Sequence, residues 1–145
     1  MASIHHEIDI EVSADEAWRA LRQMGLAHRL FAGVLIDGRI DGDVRTVTFA
    51  NGLVTRERII DVDDERRRVA YSVIEGTPMS HHNASMEIVE AGPGSCRFIW
   101  VADFLPEDFG PTMLPLMEAG AEAMKKVLET GSFERDSTDS VETAS

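Results

Sequence analysis

A stripe of apolar residues near the C-terminus is the clearest pattern in the chain. Between residues 106 and 130, apolar side chains recur at the spacing that puts them on one face of a helix with about 100° per residue. They are Phe109, Met113, Leu116, Met117, Gly120, Ala121, Met124, Val127 and Leu128. Charged residues occupy the opposite face, which predicts a long amphipathic helix that buries one side. Methionine is flexible and polarisable, so the stripe suits either an ordinary core or the wall of an adaptable ligand cavity.

Two prolines leave the start of this helix open. Pro111 can occupy the first turn, in which case Pro115 lies inside the helix without the N–H that its position requires. Alternatively, the main helix begins at Pro115 and a separate turn precedes it. Gly131 is suited to end the helix, because glycine readily adopts the left-handed conformation of a C-terminal cap.

Strict alternation of apolar and polar residues predicts a half-buried strand at residues 3–12. Ser13 follows, with Glu16 three residues later. This spacing is typical of a capping box, in which each side chain bonds the free backbone N–H of the other residue. A helix is therefore predicted from Ser13 to about Met24, and residues 26–31 can form a second short helix.

Six further segments alternate or are rich in β-branched residues, and turn signals separate them. Asn51-Gly52 is the strongest of these signals, because both residues tolerate positive φ angles. Consecutive strands joined by tight turns make an antiparallel sheet. With one long helix to cover its apolar face, the predicted class is α+β. The predicted strands are residues 34–40, 44–49, 53–62, 69–74, 80–90 and 96–104.

The length of 145 residues is sufficient for one domain with a hydrophobic core. We assign this domain to residues 1–131. Residues 132–145 are rich in Ser, Thr, Asp and Glu, and are predicted to form an acidic, disordered tail. The single cysteine, Cys96, excludes an internal disulfide and is expected to be a small buried hydrophobe.

The charge balance excludes some classes of partner. Lys and Arg number 14 against 26 Asp and Glu, for a formal net charge of −12. Long-range electrostatics therefore disfavour nucleic acid and anionic membranes. Because no apolar run approaches the roughly 18 residues of a transmembrane helix, and the N-terminus lacks a signal-peptide apolar region, we expect no membrane insertion and a cytoplasmic location.

Five stretches follow one another along the chain: VSADEAW (12–18), GDVR (42–45), TRERIIDVDD (55–64), VAYSV (69–73) and GSCRFIWVADF (94–104). In this order and spacing they resemble the START-like, or SRPBCC, superfamily, and most closely its polyketide cyclase/dehydrase and lipid-transport branch. The resemblance covers residues 3–130.

The resemblance implies a helix-grip fold, in which a curved seven-stranded antiparallel sheet wraps around the long C-terminal helix and one or two short helices follow strand 1. A hydrophobic cavity would lie between sheet and helix. Members of the superfamily bind lipids, sterols, polyketides or other apolar molecules, and some catalyse cyclisation, dehydration or condensation. No invariant catalytic residue carries over to this chain, and no cofactor is expected. Pro111 and Pro115 would lie near the cavity mouth, which predicts a kink or a mobile gate there.

The candidate ligand-binding residues are those that this fold would turn towards the cavity. The apolar candidates are Met86, Phe98, Trp100, Met113 and Met117; the polar candidates are Glu57, Tyr71 and His82. Each of them has an ordinary alternative role. For the apolar residues and Tyr71 it is packing in the core, for Glu57 a solvated strand face with cross-strand ion pairs, and for His82 a single hydrogen bond. Their catalytic roles are left unassigned.

The run Arg56-Glu57-Arg58 has two possible orientations, because alternation places Glu57 opposite both arginines. If Ile60 and Val62 face the cavity, so do the arginines. If Leu53 and Ile59 face it, Glu57 does. We favour Glu57 as a polar group that orients a ligand in an apolar pocket.

Histidines occur as the pairs His5-His6 and His81-His82, but no metal site is predicted. Neighbouring residues of a strand point to opposite faces, so neither pair can chelate. In the implied fold the last strand separates His6 from His82, and two strand spacings amount to roughly 9.6 Å. This is too far for one zinc ion with bonds of about 2.0–2.1 Å.

These observations support three functional hypotheses. The first is a protein that binds a small hydrophobic molecule, such as a lipid or a polyketide, in the cavity. The second is a polyketide aromatase/cyclase-type enzyme that uses the same cavity and one acid/base residue. The third and weakest is a co-chaperone-like module that binds a protein through the outer face of the sheet. A homodimer is compatible with all three.

Overall fold

Seven strands form one antiparallel sheet in the computed structural model, which describes residues 2–133. The strands are β1 (Ala2–Ile10), β2 (Leu35–Asp41), β3 (Val44–Phe49), β4 (Val54–Asp63), β5 (Arg68–Glu75), β6 (His81–Glu90) and β7 (Cys96–Leu105). The helices are α1 (Ala14–Leu21), α2 (Ala27–Leu30) and α3 (Gly110–Thr130), with single 3₁₀ turns at Met24–Leu26 and Glu107–Phe109. The predicted α+β class and helix-grip fold are confirmed.

The strand order is β1-β7-β6-β5-β4-β3-β2, so the first two strands of the chain are the two edges of the sheet. Strands β2 to β7 follow one another as antiparallel neighbours, as the tight turns predict. The connection from β1 to β2 contains α1 and α2, and crosses from one edge to the other. These helices therefore pack on the same concave face as α3.

Ser13 caps the N-terminus of α1 as predicted. The hydroxyl of Ser13 accepts a hydrogen bond from the backbone N–H of Glu16, at 3.1 Å. Trp18 is buried, and its indole N–H donates to Asp64, which lies in the turn after β4. Arg22 donates to the same carboxylate oxygen. These bonds hold the C-terminal part of α1 against the sheet.

Helix α3 runs without a break from Gly110 to Thr130, so the alternative start at Pro115 is wrong. Pro111 occupies the first turn and Pro115 lies inside the helix. The bond that Pro115 lacks would go to the carbonyl of Pro111, and both prolines are exposed, so water can satisfy that carbonyl. The helix is thus continuous through both prolines, and this continuity gives no support to the expected gate.

The core extends beyond the predicted domain boundary at residue 131. Gly131 has a φ angle of 72° and caps α3 as predicted. Phe133 follows it and is only 2% exposed, as part of the core. The domain therefore includes at least Phe133. Its burial is favourable because an exposed phenylalanine ring would leave a large apolar surface in contact with water. Residues 134–145 of the predicted tail lie outside the described part of the chain.

Within residues 2–133, no helix combines the length and the apolar character that crossing a bilayer requires.

Candidate functional site

A cavity of about 300 Å³ separates α3 from the middle of the sheet. Strands β3 to β7 supply one wall, and α2 and α3 supply the other. Most of the lining is apolar, including Phe31, Met86, Trp100, Met113 and Met117. The exceptions are few, and the main ones form a cluster on the sheet side.

This polar cluster consists of Arg45, Thr55, Glu57, Tyr71 and His82, all of which line the cavity. Arg45 and Glu57 are opposite one another on β3 and β4, and are 5% and 7% exposed. Arg45 Nε donates to Glu57 Oε1 at 2.8 Å. A buried carboxylate and a buried guanidinium are thus paired in the wall of an apolar cavity. Because water solvates neither charge well there, removing one group would leave the other as an unpaired buried charge, which costs free energy.

The remaining contacts fix this ion pair in place. The Thr55 hydroxyl donates to Glu57 Oε2 at 3.3 Å. Arg45 Nη1 contacts the sulfur of Met24 at 3.7 Å. The guanidinium carbon lies 4.9 Å from the centre of the Tyr71 ring, in cation–π range.

Tyr71 is neutral in this environment. Its side chain is buried, and burial raises the pKa of the phenol. The negative charge of Glu57 raises the pKa further, while Arg45 and the neighbouring indole of Trp100 lower it in part. Tyr71 can therefore act as a hydrogen-bonding group but not as a phenolate at neutral pH.

His82 is also neutral at pH 7, because burial lowers its pKa below the ordinary value of 6.5. The charge of Glu57 opposes this shift and the neighbouring His81 adds to it. Glu57 pairs with Val73 on β5, and the β5–β6 register places His82 one step beyond the pair Ser72–Asn83. Glu57 and His82 therefore belong to one row across the sheet, with Val73 between them.

The structure brings seven of the eight predicted residues together around the cavity. They are Glu57, Tyr71, His82, Met86, Trp100, Met113 and Met117. Whether they bind a ligand stays a prediction. Arg56 and Arg58 are exposed on the outer face, so of the two possible orientations Glu57 points inwards.

The prediction that Phe98 lines the cavity is wrong. Its side chain is completely buried, and its ring centre lies 6.5 Å from that of Phe31 and 6.0 Å from that of Trp100. Phe31 and Trp100 line the cavity while Phe98 does not. Alternation assigned Phe98 to the correct face, but position along the strand decides whether an inward residue meets empty space or other rings.

Arg45 and Thr55 are the members of the polar cluster that sequence reasoning missed. Arg45 is in phase with Val47 and Phe49, which also line the cavity. A charged residue at an inward position of an alternating strand is unusual unless it is paired. The alternation that puts Arg45 on the same face of β3 as Val47 and Phe49 was therefore the signal that could have identified it.

In the part of the chain that the structure describes, no cluster of three or more His, Cys, Asp or Glu side chains is arranged to hold a metal ion. His6 and His82 lie on β1 and β6, which β7 separates.

A family model described as polyketide cyclase/dehydrase and lipid transport matches residues 1–132. S-norcoclaurine synthase from Thalictrum flavum subsp. glaucum is 30% identical over 165 aligned positions, which cover 97% of this chain and 77% of the synthase.

Two solved structures show the same fold. Norcoclaurine synthase from Thalictrum flavum, in complex with dopamine and hydroxybenzaldehyde, superposes with a TM-score of 0.69 at 27% identity, covering 88% of this chain and 86% of that one. The protein XoxI from Bacillus cereus superposes with a TM-score of 0.79 over 88% of this chain and 96% of its own, and at 18% identity it supports the fold alone. On the match to its family model and the similarity to the synthase, the chain belongs to the polyketide cyclase/dehydrase and lipid-transport family.

Proposed function

We propose that this protein binds a small, predominantly apolar molecule of one or two rings in the cavity between α3 and the sheet. The observation that carries the proposal is the cavity itself, about 300 Å³ in volume, with an apolar wall interrupted by one polar cluster. Pockets of this composition are typical of small-molecule sites, in which apolar contacts give affinity and a few polar groups give orientation.

The volume limits the size of the ligand. An engineered apolar cavity of about 150 Å³ in another protein binds benzene. A cavity of about 300 Å³ therefore suits roughly two rings. A lipid with two long acyl chains would not be enclosed in this space, so we favour a compact ring compound over such a lipid.

Naphthalene is a suitable first probe, because it has two rings and no polar group. A ligand that binds only the folded state raises the melting temperature as its concentration increases. We expect naphthalene to raise the melting temperature of the wild-type protein, with the affinity measured by calorimetry.

The matched variants are Val73→Phe and Ile74→Phe. Val73 lines the cavity, whereas its neighbour Ile74 is 44% exposed on the opposite face of the same strand. Filling the cavity with the phenyl ring at position 73 should abolish the effect of naphthalene, and the same ring at position 74 should leave it intact. Equal responses of the two variants, or no response of the wild type, would contradict the proposal.

An enzyme of the cyclase type is the second candidate. The observation in its favour is that Glu57, Tyr71 and His82 share the cavity wall, so a bound molecule would meet a carboxylate, a phenol and a neutral imidazole. The related norcoclaurine synthase was solved with two single-ring aromatic molecules, a size that this cavity also suits.

Dopamine together with hydroxybenzaldehyde provides a first test of this alternative, with the loss of each compound followed by chromatography. If the protein consumes them, Glu57→Gln, Tyr71→Phe and His82→Gln should bind the compounds but turn them over more slowly. Full turnover by all three variants would exclude these residues as the acid or base. No consumption by the wild type would exclude this substrate pair.

A further inference from the structure

We propose that the ligand of the cavity is a neutral ring compound with a carbonyl group, and that Arg45 donates a hydrogen bond to the carbonyl oxygen. This inference rests on the proposed function, because it specifies the chemistry of a ligand in the same cavity. Its support is the hydrogen bonding and the charge of the polar cluster.

Arg45 has more donors than the protein uses. A guanidinium carries five N–H groups and no acceptor. Within residues 2–133, its acceptors are the carboxylate of Glu57 and the sulfur of Met24, and sulfur is a weak acceptor. The side chain is only 6% exposed, so bulk water has little access to the remaining N–H groups. Since Arg45 lines the cavity, a ligand oxygen there can serve as the missing acceptor.

The contacts of Arg45 also keep the guanidinium in one position before a ligand arrives. Glu57 holds its Nε, and the ring of Tyr71 lies against its face. Thr55 in turn holds the second oxygen of Glu57. A donor that is already immobilised loses little conformational entropy when it binds, so each such hydrogen bond contributes more to affinity.

Charge selects a neutral acceptor over an anionic one. The charges of Arg45 and Glu57 cancel at 2.8 Å, and Tyr71 and His82 are neutral at pH 7. A ligand carboxylate would bring an unbalanced negative charge into an apolar space beside Glu57, at a large desolvation cost. A ligand ammonium would bring a second positive charge beside Arg45. A carbonyl oxygen only accepts hydrogen bonds and carries no net charge, which fits the surplus of donors.

The test compares three probes that share the naphthalene ring. They are 2-acetonaphthone, 2-isopropenylnaphthalene, which replaces the carbonyl oxygen by a CH₂ group of similar size, and 2-naphthoate. Affinities are measured by calorimetry at pH 7. One hydrogen bond to a charged group corresponds to about 10- to 100-fold in affinity, so the ketone should bind the wild type that much more tightly than the alkene. The carboxylate should bind more weakly than the ketone.

The matched variant is the double substitution Arg45→Met with Glu57→Leu. Replacing both members of a buried ion pair by apolar residues of similar volume usually preserves the fold. In this variant the ketone and the alkene should bind with about equal affinity. Arg45→Lys, which keeps the positive charge but loses the guanidinium fork, should reduce the preference for the ketone without removing it.

The outcomes separate this inference from the proposed function. If neither the ketone nor the alkene binds the wild type, the proposed function fails. If both bind with similar affinity, or if 2-naphthoate binds most tightly, cavity binding stands and the carbonyl inference is overturned. A double variant that retains the full preference for the ketone would also overturn it, because Arg45 would then not be the donor. If the double variant does not fold, the ratio of ketone to alkene affinity in the wild type decides.

Discussion

The two halves of α3 use the same kind of side chain for different purposes. In residues 110–120, which we call the open half, Met113 and Met117 line the cavity. In residues 121–130, the packed half, Met124 is completely buried in the continuous core. All three methionines belong to one apolar stripe, so the helix alone does not distinguish wall from core.

What lies opposite each half makes the difference. The packed half is tied to the end of β1, where Lys125 donates to the carbonyl of Asp9 and Glu129 accepts from the backbone N–H of Glu11. Phe133 lies beside Val127 and Leu128 and leaves a gap of only about 10 Å³. The open half faces the sheet across the cavity instead.

Gly120 marks the boundary between the two halves. A Cβ atom at this position would lie 3.0 Å from the ring of Trp100. The absence of a side chain thus lets the indole approach the helix at the inner end of the cavity. Beyond this point the stripe meets packed side chains, and the same amphipathic pattern serves stability in one half and a site in the other.

The largest expected effect is that of breaking the ion pair that faces the open half. Arg45→Met should lower the free energy of unfolding by about 3–5 kcal/mol, because Glu57 would keep a buried charge without a partner. Urea denaturation at pH 7 measures the effect, and the double variant with Glu57→Leu is the control that should recover most of the loss. A single variant as stable as the wild type would mean that water reaches Glu57 freely.

Methionine truncation compares the halves directly. Met124 and Met117 are 0% and 1% exposed, but only Met117 lines the cavity. Truncation of a buried methionine to alanine costs about 2–5 kcal/mol. We expect Met124→Ala in the upper part of this range and Met117→Ala in the lower part, because Met117 already lacks contacts on its cavity side. The reverse order in urea denaturation would contradict the distinction between the halves.

Removal of the cap of α1 should affect stability and spare the cavity. Ser13→Ala loses the hydrogen bond to the N–H of Glu16, and the expected cost is about 1 kcal/mol. The affinity for naphthalene should stay at the wild-type value, because neither residue lines the cavity. A loss of affinity beyond the change in stability would show that the cap of α1 is coupled to the cavity.

The smallest effect concerns pH. Burial lowers the pKa of His82 in the folded protein, so the unfolded chain binds more protons as the pH falls below about 6.5. The free energy of unfolding should therefore decrease as the pH falls from 7 to 5. The substitution His82→Gln should make this dependence on pH less steep. Naphthalene should also bind the wild type more weakly at pH 5 than at pH 7.

His28 is the control for this experiment. Burial lowers its pKa too, but it does not line the cavity. His28→Gln should reduce the pH dependence of stability and leave that of naphthalene binding unchanged. If the free energy of unfolding depends on pH equally steeply in the wild type and in His82→Gln, His82 is solvated in the folded state.

Much of the fold is predictable because it depends on local patterns. The Ser13–Glu16 spacing predicts the start of α1, and the Asn51-Gly52 turn predicts the β3–β4 hairpin, in which Gly52 has a φ angle of 91°. The stripe of α3 predicts its buried face, including Met113, Met117 and Met124. These signals lie within a few residues of the features that they specify, so no tertiary information is needed to use them.

The orientation of Glu57 was ambiguous for a specific reason. The pairing of β4 with β5 shifts between Ile59 and Asp61, and Ile60 is 60% exposed. Such an irregularity changes which residues point inwards along a strand. Ile59 and Val62 both pack against the core although alternation assigns them to opposite faces. Ile59 and Val62, on either side of the irregularity, therefore gave conflicting answers for Glu57, which precedes both of them.

By itself, the sequence determined the order and type of the elements and the apolar face of α3, because hydrophobic periodicity and turn residues act locally. The single seven-stranded sheet was implied by the family resemblance. Only the tertiary structure decided that Arg45 pairs with Glu57 across two strands, that Phe98 is covered by Phe31 and Trp100, and that Phe133 completes the core. These features depend on register, on an irregularity in β4 and on which side chains meet between distant segments. A cavity is the space that those side chains leave unfilled, and the periodicity of a single segment does not encode it.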